Sequence, residues 1–532
     1  MPVIDITLMR GEVPRIADHL LPDDVAVVAK NCHFNHGIIS PFMSDAAAGI
    51  SLPAAPKTLY RYRADHWLQW PIAVDVVPSP IAQDPHGRVY YTDGNYPKVT
   101  TEAIALGSGA KPTAWYRLGL PAPPAVIVSS VAPPSGGSDD TITDDETRYY
   151  VQTWLTAFGE EGPPSPASLP VEMPIPGSAV ALNLTAPAQN DRNITHRRLY
   201  RSVSGAGTAD YLLVAELPIA TASYTDGLGS DDLGPVLETY DYLPPPDNMR
   251  GLCLMANGIA AGFAGNEVLF SGAYLPYAWP QANRQTTQHD VVAIAASGTS
   301  LVVATKGYPY LFSGVTPSAI NGVKLDLEQA CVSARSMIVV AGQVIYASPD
   351  GLVSVGGNGG LVITEGMITR DQWQQYQPET LRAWAHEGKY IGLTDSHGFV
   401  FDPVSGDFRH FDNRWDAAWH DLERDSLYIA KGATLYRWRD GNTSITTTWR
   451  SKEFVAPVAS AFNTLRVVTS DASKVGIKLL VDGIEVMSLA MGQMPAGAFR
   501  LPAVRGTKWQ LEVAAQAEVE RIILATSMAE AS

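Results

Sequence analysis

The chain has 532 residues, with 38 Lys and Arg against 54 Asp and Glu, for a net charge of −16. That length exceeds one ordinary core and gives a prior of three or four domains. The acidity argues against a wide nucleic-acid groove, while leaving room for a local basic patch. Glycine (45) and proline (39) are abundant and only 17% of residues are charged, which predicts many turns between short strands rather than long helices. The three cysteines, Cys32, Cys253 and Cys331, make no disulfide framework and fit a reducing cytoplasm.

Residues 1–50 read as an irregular N-terminal arm punctuated by Pro14 and Pro22. A helical turn or two is predicted after Asp23, which suits an N-cap. Residues 51–120 carry early strands: Thr58–Arg63, Trp67–Trp70, Ile72–Val77, and Gly87–Tyr96 with its Asp93-Gly94 turn. Residues 121–247 begin with a stiff Pro121–Pro124 linker and an exposed loop over Val131–Asp145. The alternating run Thr147–Phe158 follows, then a Gly- and Pro-rich turn from Glu160 to Pro166. Strand signals recur at Val180–Leu184, Arg197–Ser202, Tyr211–Glu216 and Ser223–Asp226. This order resembles a fibronectin type III-like sandwich, a fold that more often binds or spaces than catalyses. Tyr242–Pro246 is the exit linker.

Residues 248–450 repeat one pattern: a β-branched or aromatic run, a Gly- or Asp-containing turn, and a second run. Gly258–Phe270, Ser300–Phe312, Met337–Tyr346, Gly388–Asp402 and Asp425–Trp438 are its copies. A spacing of about 40–50 residues predicts blades stacked around an axis, as in a β-propeller. The early strands would close against these later units. Arg370–Arg382 is one of the few helix candidates. Residues 451–532 read as a C-terminal β-sandwich, with strands at Leu465–Thr469, Val475–Val486, Phe499–Pro502, Lys508–Val513 and Val519–Ala525. The predicted class is all-β: a propeller-like platform, an inserted fibronectin type III-like sandwich and a C-terminal sandwich.

Catalytic motifs are not found. The chain holds no HExxH, no phosphate loop, no GxSxG elbow and no CxxC. Gly356–Gly360 is glycine-rich but reads as a turn between strands. Cys32, His33 and His36 have metal-ligand character without an evident fourth ligand, so ordinary packing is the favoured reading. Asp139, Asp140, Asp144, Asp145 and Glu146 could hold a hard cation, but a solvated acidic loop is the simpler account. Asp395 and His397 flank a serine, and a hairpin tip explains them better than a triad does. Trp67, Trp70, Trp415 and Trp419 could line a sugar-binding face, although aromatics on strands are more often core. No catalytic residue, cofactor or metal is therefore expected.

The layout resembles the tail nozzle, or tail tubular, proteins of short-tailed bacteriophages. The resemblance rests on Asn31–Pro41 (NCHFNHGIISP), Lys57–Tyr60 (KTLY), Trp67–Trp70 (WLQW), Val77–Asp84 (VPSPIAQD), Tyr90–Asp93 (YYTD) and Leu118–Pro123 (LGLPAP). Near the end it rests on Trp449–Phe454 (WRSKEF) and Phe499–Pro502 (FRLP). It implies a non-enzymatic virion structural protein, assembled in the host cytoplasm. It implies a homo-oligomeric ring of six copies below the portal and adaptor, with tail fibres attached and the genome passing through without sequence-specific binding. The fibronectin-like insertion departs from the simplest nozzle layout and leaves a neighbouring tail position open. The first residues lack the basic and apolar regions of a signal peptide, and no stretch reaches the about 20 apolar residues of a membrane span. Host lysis is then the expected exit.

Two other readings stand beside it. One is a host-surface glycan-binding module of the tail. The other is a propeller glycoside hydrolase or lyase, which needs paired acids at strand ends. Asp371, Asp395, Asp402 and Asp412 are available for that pair.

Overall fold

A computed structural model describes residues 3–63, 66–134, 146–173, 175–202, 210–357 and 359–531, the side chain of Asn35 excepted. Strand makes up 46% and helix 6%, so the class is all-β, built from many small sheets. Among the described residues no helix is long and apolar enough to cross a membrane. The chain divides into two units. The first comprises Met1–Ile72, Val302–Leu311 and Val323–Ser532; the second comprises Ala73–Leu301 and Phe312–Gly322.

In the first unit, three antiparallel meanders of four strands dominate. One runs Ile338–Val340, Gln343–Ala347, Leu352–Gly356 and Gly359–Val362. A second runs Arg382–His386, Lys389–Leu393, Gly398–Phe401 and Phe408–Phe411. The third runs Ala417–Asp421, Ser426–Lys431 and Thr434–Arg437, and its fourth strand is Ala46–Ser51 from the N-terminal arm. The short hairpin Thr58–Arg63 with His66–Trp70 lies beside Ala417–Asp421. Aromatic residues fill the gaps between sheets. Tyr376, Phe399, Phe401 and Phe408 share one core, and Phe42, Phe411, Trp415 and Trp438 share another.

The remaining strands of this unit form two layers on one core. Thr447–Ser451, Gly506–Ala515, Val475–Val481 and Ile484–Leu489 make one layer. Ile4–Ile6, Val519–Ala525, Thr464–Thr469 and Phe499–Arg500 make the other. Alternation explains the strands: along Gly506–Ala515 every second residue from Trp509 onward is buried. Trp449, Leu465, Ile477, Trp509, Val513 and Ile522 meet between the layers. Asp482 and Gly483 turn the Val475–Leu489 hairpin with positive φ at both positions, as a two-residue hairpin turn needs.

The second unit holds two further four-stranded meanders. Their strands are Asp75–Pro78, Val89–Thr92, Lys98–Thr100 and Tyr116–Arg117, then Arg250–Leu254, Ala260–Ala264, Glu267–Phe270 and Arg284–Thr286. Between them in sequence, two three-stranded sheets pack over one core. Ile127–Ala132, Ala179–Asn183 and Ser223–Asp226 form the first; Tyr150–Thr156, Ile194–Ser202 and Tyr211–Pro218 form the second. Val126, Tyr150, Val180, Leu182, Leu199 and Val214 fill the space between them.

Three expectations need correction. Residues 1–50 are not an irregular arm: they contribute Ile4–Ile6, Ala26–Lys30 and Ala46–Ser51 to three different sheets. No helix follows Asp23. Ala26–Lys30 is a strand, because its β-branched pair lies between Thr447–Ser451 and the parallel neighbour Phe408–Phe411. The helix foreseen over Arg370–Arg382 is confined to Arg370–Gln374. A Thr369–Gln372 capping box starts it, left-handed Gln377 breaks it, and only the short 3-10 turn Pro378–Thr380 follows.

Candidate functional site

The chemically richest concavity lies in the first unit. It encloses about 420 Å³ and is lined by Lys30, Ser396, His397, His410, Asp412 and Arg414, among others. The fold brings these residues together from three places. Lys30 ends the strand Ala26–Lys30 and pairs in register with His410. Ser396 and His397 occupy the tight turn before Gly398–Phe401, in which the Thr394 N–H donates to the His397 carbonyl at 2.8 Å. Gly398 is required there, since a Cβ would sit 2.6 Å from the Phe411 ring.

His410 is held from both sides. Its Nδ1 lies 3.1 Å from Glu12 Oε1 and its Nε2 lies 2.8 Å from the Tyr376 hydroxyl. Glu12 is buried and also accepts the Ala29 N–H at 2.6 Å. Burial raises the pKa of the Tyr376 hydroxyl that bonds Nε2. Both ring nitrogens of His410 are therefore engaged, which makes it a positioned group rather than a free base.

His397 places Nδ1 2.7 Å from Ser396 Oγ. Burial lowers its pKa, and the neighbouring His410 and Arg414 act in the same direction. Among the described residues no carboxylate bonds its other nitrogen, so the third member of a triad is missing. The rim is charged. Lys30 pairs with Asp412 at 2.7 Å, and Arg414 donates to the Thr394 carbonyl at 2.6 Å. Burial opposes ionisation of Asp412, but the Lys30 and Asn31 bonds outweigh it and hold the carboxyl below its usual value. The arrangement can hold a small polar ligand; it lacks a nucleophile, base and orienting acid in line.

The other sequence candidates lie apart. Cys32 is fully buried in the two-layer core, where burial pushes its thiol up to about 12. His33 follows it on the same short strand and so faces the other way, and His36 sits in a turn with φ 57. Asp139, Asp140, Asp144 and Asp145 lie outside the described residues; Glu146 pairs with Arg148 at 2.8 Å. Gly356 and Gly359 face each other across a strand turn, and Asn358 between them is outside the described residues. Trp67, Trp70 and Trp415 are buried. Trp415 stacks on Phe411 at 5.3 Å, and Trp419 meets Tyr60 at 4.8 Å. These tryptophans pack rather than line an open face.

Asp371 stands in the first turn of its short helix. Asp402 accepts the Val404 N–H at 2.9 Å within a turn, and the Asp395 N–H bonds Thr380 at 3.1 Å in another. Of the four acids, Asp412 alone lines the cleft. Glu12, Lys30, Tyr376, His410 and Arg414 were missed. Glu12 lies 398 residues from His410, and no local pattern links the two.

The chain matches no family model and no curated protein. Among solved structures it is similar to Kluyvelomyces marxianus Hsv2, at 11% identity and a TM-score of 0.23, over 57% of this chain and 89% of that one. It is also similar to the extracellular domain of the putative hybrid two component system BT4673 from B. thetaiotaomicron. That match has 8% identity and a TM-score of 0.20, over 93% and 79% of the two chains. At such scores neither likeness carries an argument. Fold and site together define an all-β protein of repeated antiparallel meanders with a polar cleft.

Proposed function

We propose that the chain is a structural subunit of a short-tailed phage tail, a nozzle component present in six copies around the channel through which the genome leaves. The observation that carries this reading is the packing role of the residues behind the resemblance. Leu68, Tyr90, Tyr91, Leu118, Leu120 and Trp449 are all buried, so the shared motifs are those of a scaffold. In this reading the meanders are blades of a β-propeller. Within the first unit, Arg382–His386 lies beside both Ile338–Val340 and Ala417–Asp421, and within the second Arg250–Leu254 lies beside both Asp75–Pro78 and Val291–Ser297. First strands side by side are what neighbouring blades present around an axis. The sheets between residues 127 and 226 are then the fibronectin type III-like insertion, available to fibres, adaptor or host surface. Acidic side chains facing the channel would keep a polyanion from adhering.

Cryo-electron microscopy of particles carrying this chain tests the proposal. Six copies around a DNA-sized channel are expected. A peripheral position away from any channel overturns it in favour of receptor binding. Neutralising channel-facing acids is expected to slow genome release.

A further inference from the structure

One grouping of histidine and carboxylate side chains lies in the first unit away from the cleft. Arg382–His386 and Ala417–Asp421, the first strands of successive meanders, run side by side in a fixed register. Arg382 donates to the Asp416 carbonyl at 2.7 Å, and Trp384 Nε1 donates to the Ala418 carbonyl at 3.0 Å. Both pairs are 34 residues apart, and two residues further along, the same offset sets His386 opposite His420. Side chains two apart on a strand share a face, and the two imidazole rings meet at 5.2 Å.

Asp425 belongs to the turn between Ala417–Asp421 and Ser426–Lys431, with φ 47. Its Oδ1 lies 3.6 Å from His420 Nε2. One donor atom from each of the three residues lies within 4.8 Å of the others. His386 is only 8% exposed, and its buried Nδ1 has no hydrogen-bond partner; neither has the buried His420 Nε2. Buried polar atoms in native folds are almost always satisfied, so these two nitrogens, with His420 Nε2 3.6 Å from the Asp425 carboxylate, point to a ligand. Glu387 approaches His386 Nε2 at 3.9 Å but is shared with Arg439, at 3.3 Å.

We propose that His386, His420 and Asp425 bind a divalent transition-metal ion of the zinc type, tying the first strands of two successive meanders together. Two imidazoles and one carboxylate are borderline donors that suit such an ion better than calcium or magnesium. Bonds of about 2.0–2.2 Å need the donors closer than they stand here. Asp425, with its side chain 83% exposed, is free to swing in. Water takes the fourth position.

The test uses untagged full-length protein stripped with a chelator. It is titrated with Zn²⁺ by calorimetry and with Co²⁺ by visible absorption. One ion per chain is expected, with tetrahedral Co²⁺ bands and a Tm that rises with free Zn²⁺. Asp425→Asn and His420→Gln are the variants, because buried His386 risks misfolding. Each is expected to weaken binding by more than the roughly 10–100-fold that loss of an outer-shell partner costs. No stoichiometric binding by the unaltered protein overturns the proposal. Binding equal to the unaltered protein's in both variants overturns it as well.

Discussion

Arg201 and Asp226 form an ion pair 2.9 Å long in which both side chains are fully buried. Asp226 Oδ2 also accepts the Tyr150 hydroxyl at 2.8 Å, and its Oδ1 accepts the Leu228 N–H at 3.0 Å. The pair spans the two sheets of the 127–226 region. Removing one partner strands a buried charge, so Asp226→Ala is expected to cost about 3–5 kcal/mol. Replacing both, with Arg201→Met and Asp226→Leu, is expected to recover much of that loss. Urea unfolding of Asp226→Ala, of the double variant and of its two single components checks it; additive losses would count against the coupling.

Glu160 sets a pH dependence. Burial pushes its carboxyl up to about 7 from an ordinary 4.5, although the Arg88 guanidinium lies 2.7 Å away. Burial also works against Arg88, but the bond that its Nε donates to Asp84 at 2.7 Å outweighs it and secures that charge. Glu160 is thus the partner that titrates. Between pH 4.5 and about 7 the folded chain keeps a proton that the unfolded chain has released. This contribution to stability is complete below pH 4.5 and lost as pH rises through about 7. Its size is on the order of 3 kcal/mol. Denaturation across this range should show Glu160→Gln flatter than the unaltered protein; parallel curves would refute the assignment.

The cysteines should be inert in the folded chain. Burial pushes Cys32, Cys253 and Cys331 each up to about 12. At pH 8 their thiolate fractions, and so their alkylation rates, are expected to be lower than a free thiol's by on the order of a thousandfold. In denaturant all three should label. Mass spectrometry after timed iodoacetamide exposure gives the answer residue by residue, and fast native labelling of any one would expose a local opening.

Gly11 marks where the N-terminal segment crosses another strand. A Cβ there would stand 2.4 Å from the Phe408 carbonyl oxygen, and the next residue, Glu12, donates its N–H to that same oxygen at 2.8 Å. Gly11→Ala is expected to destabilise by about 1–3 kcal/mol through backbone displacement. It should also loosen the Glu12 bond to His410. Thermal melting and limited proteolysis near residue 11 check both effects; an unchanged Tm would sink the argument.

Strand content and hairpin turns were legible because they are written in local periodicity. Asp482-Gly483 announces its turn, and the alternation around Trp509 announces a half-buried strand. Partner choice was not legible. Ala26–Lys30 reads as a helical turn after Asp23, and the strands it pairs with lie about 380–420 residues away. The cleft suffered most, since His410 owes its orientation to Glu12 and Tyr376, which no motif joins to it. Burial of Trp67 and Trp70 followed the ordinary tendency of strand aromatics.

The fourth strand of the third meander, Ala46–Ser51, pairs with Thr434–Arg437, about 390 residues later in the chain. During synthesis the earlier strand leaves the ribosome first and must wait for its partner. At about 5–20 residues per second that wait lasts on the order of 20–80 s. Throughout it, an open strand edge is presented to the cell by the N-terminal segment, and the sheet that receives it stays incomplete until translation passes Arg437. Yield of folded protein should therefore depend on how fast the chain is made and on which chaperones meet it meanwhile.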